Sequence, residues 1–175
     1  MGPDGGILIT MEQGTEWAVT NKLAPVKLRT EMPKKDSIPP QQPYATQEAY
    51  NRARAMPGTI FEVQYDQTHP LLYGYEGSAL HVLRTTSVFL EPPSNPFAAP
   101  VRYTQYPLTA GYMNKIHAER IAGSAAVVVS AVESGRVILF SDNPNFRAFW
   151  FGTNRLFLNA VFFGNIIRSS SARTE

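Results

Sequence analysis

The sequence predicts an α/β fold on three observations. Short apolar runs at 6–10 ("GILIT"), 124–132 ("SAAVVVSAV") and 136–140 ("RVILF") have the length and composition of buried strands. The stretch 59–66 ("TIFEVQYD") alternates Ile60, Glu62 and Gln64 against Phe61, Val63 and Tyr65, as a strand with one more polar face does. The closing segment 145–164 ("NFRAFWFGTNRLFLNAVFFG") has helical composition and is apolar around most of its circumference.

The elements follow in order. The run 6–10 stands behind a Gly-Gly turn with no lead-in sequence, so the opening reads as the middle of a longer protein. Residues 12–24 ("EQGTEWAVTNKLA") predict a short amphipathic helix with Trp17, Val19 and Leu23 as its apolar side. The polar, Pro-rich 33–43 ("PKKDSIPPQQP") predicts a surface loop. Residues 46–56 ("TQEAYNRARAM") predict a helix capped by Thr46, within an insertion rather than the core. Extended segments are expected at 79–90 and 101–106, with a Pro-rich loop at 91–100 between them. Glu-Ser-Gly at 133–135 joins the two apolar runs as a tight turn. Asn143 then serves as N-cap and Pro144 as first residue of the final helix, because a proline's missing N–H costs nothing there. Along that helix Gly152, Arg155 and Asn159 share a polar face, and the rest predicts burial. Gly164 is its expected stop, and 168–175 its fraying tail.

Composition narrows the function. A chain of 175 residues, 43% of them hydrophobic, has the length and the apolar content for one domain with a real core. A formal charge of +2, with no Lys/Arg cluster beyond Lys34-Lys35, gives no reason to expect nucleic acid. No window is apolar enough for a membrane span. Cysteine is absent, which removes disulfides, thiolate nucleophiles and Cys-ligated zinc. His69, His81 and His117 are dispersed, and Glu119 lies two residues from His117, a spacing that cannot share a helical face. Gly-x-Ser-x-Gly, Gly-x-x-x-x-Gly-Lys and Gly-x-Gly-x-x-Gly are all missing. No catalytic, cofactor-binding or metal-binding residue is therefore assigned.

Two loops keep candidate binding residues. In 142–147 Arg147 falls in the first turn of the predicted helix, where the positive end of the dipole disfavours a cation. Either a salt bridge to Asp142 or another carboxylate compensates it, or Arg147, with Asp142 and Asn145 nearby, holds a carboxylate or phosphate at the helix start. In 66–75 ("DQTHPLLYGY") Tyr73 and Tyr75 flank Gly74 and, with His69, are candidates to stack on a ligand. The alternative is that His69-Pro70 starts a turn while Leu71 and Leu72 plug the core.

These stretches carry a resemblance. "GGILIT", "HPLLYGY" and above all "SGRVILFSDNPNFRAFWFGTNRLFLNAVFFG" are similar to the C-terminal region of large bacterial zinc carboxypeptidases, especially those of the Bacteroidetes type. There a carboxypeptidase A-like domain precedes one similar to class I glutamine amidotransferases. The likeness is densest over 58–164 and absent from 33–56. It implies a partial flavodoxin-like sandwich lacking its N-terminal strand–helix units, which in isolation looks α+β. Residues 1–175 would form one accessory domain: 1–32 the end of the truncated half, 33–56 the Pro-rich insertion, 57–167 the core and 168–175 the tail.

The peptidase's zinc motif is absent here, and no Cys stands at a strand-to-helix elbow; Met11, Glu12 and Gln13 follow the first strand instead. The resemblance therefore implies a non-catalytic domain without a cofactor, zinc belonging to an upstream carboxypeptidase domain as its partner. It also implies a periplasmic or extracellular location, and an open sheet edge prone to self-association.

Overall fold

The computed structural model describes residues 5–29 and 41–168. Most of the Pro-rich loop and the tail beyond Arg168 lie outside them. The described chain forms one mixed six-stranded sheet and four α-helices. In chain order these are β1 (Ile7–Met11), α1 (Gln13–Thr20), α2 (Gln47–Arg54), β2 (Thr59–Tyr65), β3 (Ala79–Arg84), β4 (Val101–Ala110), α3 (Lys115–Ile121), β5 (Ala125–Val132), β6 (Gly135–Phe140) and α4 (Phe151–Phe163). The sheet order is β1-β6-β5-β4-β2-β3. Only β1 and β6 pair in parallel, with Ile7 opposite Arg136 and Met11 opposite Phe140. The other pairings are antiparallel.

The continuous apolar runs of β5 and β6 follow from burial on both sheet faces. Val127, Val129, Ile138 and Phe140 point into a core with Leu71, Leu72, Leu156 and Ala160. Their neighbours Ala125, Val128, Val137 and Leu139 point to the opposite side, against Ala18 and Val19 of α1. On β2 one face only is closed, and Thr59, Phe61 and Val63 are its buried residues.

The structure departs from the sequence reading at five places. The final helix does not begin at Pro144. Asn143 Oδ1 accepts from the Asn145 N–H at 3.0 Å as a local turn, and Arg147 and Ala148 both have positive φ, so α4 starts at Phe151. Nor is α4 wrapped in core: Phe151 is 72% and Phe162 69% exposed, because the sheet covers one side of it only. Trp17 is 56% exposed, leaving Ala18 and Val19 as the buried side of α1. Thr46 makes no cap; its hydroxyl donates to the Pro43 carbonyl at 2.8 Å. Helix α2 buries nothing, as an insertion would. The sequence reading had no counterpart to α3, which Asn114 caps through the Ile116 N–H at 2.8 Å.

Candidate functional site

The carboxyl ends of a parallel strand pair are where α/β sheets place their chemistry. Here β1 is followed by Glu12, held at φ 49° and ψ −122°. That backbone conformation is strained for a residue with a side chain, by about 1–3 kcal/mol. It persists because the surroundings fix it. The Glu12 N–H donates to the Phe140 carbonyl at 3.2 Å, and its own carbonyl accepts from the Thr15 and Glu16 N–H groups to start α1. Thr15 adds a hydroxyl bond of 2.6 Å to the same Phe140 carbonyl. The Glu12 carboxylate accepts from the Thr85 hydroxyl at 2.6 Å.

Beside it β6 is followed by Ser141 and Asp142, both buried. They face Arg84, the last residue of β3 and fully buried. Its Nε donates to the Thr86 carbonyl at 2.8 Å, one terminal nitrogen to the Tyr103 hydroxyl at 2.7 Å and Ser141 Oγ at 3.2 Å, and the other to the Val88 carbonyl. Asp142 Oδ1 lies 3.1 Å from Arg84, an ion pair without hydrogen-bond alignment, while Oδ2 accepts from Tyr103 at 2.5 Å. The guanidinium also stacks 4.6 Å from the Phe89 ring centre. Burial pushes the Asp142 carboxyl up, with Arg84 pulling the other way. Burial likewise raises the Tyr103 phenol, Arg84 opposing. Every guanidinium nitrogen is engaged from within the chain, while Asp142 Oδ1 is buried with the ion pair but no hydrogen bond among the described residues.

The predicted site residues separate. Asp142 belongs to the Arg84 cluster and does not neutralise Arg147. Arg147 is exposed and stacks 5.2 Å from its neighbour Phe146, and its positive φ removes it from any helical first turn. Asn145 is half-buried in the turn that Asn143 closes.

The second loop packs on α4. Asn159 Nδ2 donates to the Leu71 and Tyr73 carbonyls at 2.8 and 3.0 Å, Arg155 to the Gly74 carbonyl, and the Tyr75 hydroxyl to the Gly152 carbonyl at 3.0 Å. Thus the polar face of Gly152, Arg155 and Asn159 clamps the loop. Burial pushes the Tyr75 phenol up to about 12. His69 and Tyr73 instead line a cleft of about 770 Å³ at the amino end of β6, with Asp66, Ser130 and Arg136.

Sequence reasoning missed Glu12 as a structural outlier, and missed Arg84, Tyr103 and Arg136 altogether. A lone Arg inside the apolar stretch 79–90 was the available signal for Arg84. Among the described residues no group of three or more His, Asp or Glu side chains is placed to hold a metal ion, and no helix is long and apolar enough to cross a membrane. No known protein family, curated protein or solved structure matches the chain.

Proposed function

We propose that the chain is a non-catalytic accessory domain of a zinc metallocarboxypeptidase-like protein, whose upstream peptidase domain hydrolyses C-terminal residues of peptides. The observation that carries this reading is the elbow after β1. It has the strained strand-to-helix backbone on which an amidotransferase-like domain would mount a nucleophile, yet it carries Glu12, tied to Thr85, beside the buried Arg84–Asp142 ion pair, whose guanidinium is fully engaged within the chain. This reading takes the parallel β1–β6 pair, with α1 and α4 on opposite faces, as the remnant of a flavodoxin-like sandwich, although the other four pairings are antiparallel. In this reading the domain contributes stability and orientation to its peptidase partner in the periplasm or outside the cell, and zinc sits in that partner.

The test is the native polypeptide, detected in source cells with an antibody against residues 136–164. The expected band lies far above 19.4 kDa, and the captured protein has chelator-sensitive carboxypeptidase activity. A 19.4 kDa band, or a longer protein without that activity, would overturn the proposal. A ligand-binding role centred on Arg147 and the Tyr73–Tyr75 loop loses ground because Asp142 is taken by Arg84. The cleft beside His69 is a better place for a ligand.

A further inference from the structure

The cleft at the amino end of β6 contains a cation with no counter-charge paired to it among the described residues. Arg136 is half-buried on β6, and among the described residues its side chain bonds two main-chain carbonyls: Nε donates to Ile167 at 2.6 Å and a terminal nitrogen to Gly135 at 3.3 Å. Among the described residues it has no ion pair. A half-desolvated guanidinium retains strong donor capacity, and its planar fork matches a carboxylate. In the same lining, His69 Nδ1 accepts from the Leu71 N–H at 3.2 Å, so the ring proton sits on Nε2 and the imidazole offers a second donor. Burial lowers the His69 pKa, which keeps the ring neutral near pH 7. The Ser130 hydroxyl, buried on β5, lines the same space. Tyr73 and Phe97 add exposed aromatic surface. Asp66 is the carboxylate of the lining, and its Oδ1 is occupied by the Thr68 N–H and hydroxyl at 2.9 and 2.6 Å. With Arg168 also at the wall, two guanidinium groups face one carboxylate.

We propose that this cleft binds a small organic monocarboxylate with an aromatic or apolar body, its carboxylate on Arg136 and His69 and its body against Tyr73 and Phe97. The charge surplus of one favours a singly charged carboxylate over a phosphate dianion. A volume of about 770 Å³ is within the range of small-molecule sites. The site lies at the opposite end of β6 from Glu12 and Asp142, so it stands or falls independently of the accessory-domain reading.

The experiment is a titration of the ¹⁵N-labelled chain with benzoate, with inorganic phosphate and benzylamine as parallel probes. Benzoate should bind with a dissociation constant below about 10 mM and shift the amides of Tyr73, Ser130 and Arg136. Arg136→Gln should weaken it about tenfold or more, the scale of a lost charge-assisted hydrogen bond. His69→Gln should weaken it less. Should Arg136→Gln fail to fold, Arg136→Lys gives the reading: it keeps the charge, loses the fork, and should weaken benzoate several-fold. Absence of benzoate shifts, undiminished binding in the folded Arg136 variant, or tighter binding of phosphate or benzylamine would each overturn the proposal.

Discussion

The two ends of β6 treat charge in opposite ways. At its carboxyl end Asp142 is enclosed with Arg84, Tyr103 and Ser141, and every guanidinium nitrogen of Arg84 finds a partner within the chain. About 20 Å away, at strand rise over six residues, Arg136 opens onto a cleft with main-chain carbonyls as its partners. A fully buried charge must be paired, because leaving it alone costs several kcal/mol. A half-buried one at a cleft can wait for a ligand.

The comparison breaks most sharply at Asp142. Replacing it with Ala strands Arg84 in the core and should destabilise the fold by about 3–5 kcal/mol, read from urea unfolding. Arg136→Gln should cost less, about 1–2 kcal/mol for the lost bonds to the Ile167 and Gly135 carbonyls, by the same measurement. Equal losses at the two positions would erase the contrast. Next in size is Asn159→Leu, which removes both bonds to the Leu71 and Tyr73 carbonyls. It should cost about 1–3 kcal/mol and release the loop that supplies His69 and Tyr73 to the cleft, visible as faster amide exchange over 69–75.

A smaller effect sharpens the account of the elbow. Glu12→Gly and Glu12→Ala both lose the Thr85 bond, but only Gly relieves the positive φ. The Gly variant should melt higher than the Ala variant, by about 1 kcal/mol in stability. Equal stabilities would mean that the backbone there carries no strain.

The smallest effect is in pH. Burial lowers the His69 pKa from its ordinary 6.5, with Asp66 opposing. The native state then binds fewer protons than the unfolded chain between that lowered value and 6.5. Stability from this group is full above the window and declines as pH falls through it. Wild type should show that slope, and His69→Gln should flatten it.

How much of this was legible in the sequence depends on the kind of signal. The strands at 59–66, 124–132 and 136–140 were readable, because continuous or alternating apolarity is the direct imprint of burial on two faces or one. The run at 6–10 does form a strand, but at the sheet edge, where Thr10 alone is buried and Ile7 is exposed, not the buried strand expected. The start of α4 was misread for a physical reason. Asn-Pro is as good a turn former as a helix start, and Asn143 used its side chain on the nearest amide. The outer face of α4 was misread as core because composition records that a residue is apolar and not whether anything covers it. Among candidate site residues, His69 and Tyr73 do line the cleft, whereas Asp142 left the Arg147 loop for a partner 58 positions earlier in sequence, a pairing with no local pattern. The Glu12 backbone strain is invisible in sequence, since no residue preference announces a conformation that glutamate rarely adopts.

The central claim is that the charge at the carboxyl end of β6 is satisfied within the protein. A double-mutant cycle tests it most directly: Asp142→Leu, Arg84→Met and the pair together, followed by urea unfolding. The account predicts that each single variant loses several kcal/mol and that the double variant recovers much of the loss, a coupling of about 3 kcal/mol. Additive losses, with no recovery in the double variant, would contradict it and return Asp142 to the pool of free functional acids.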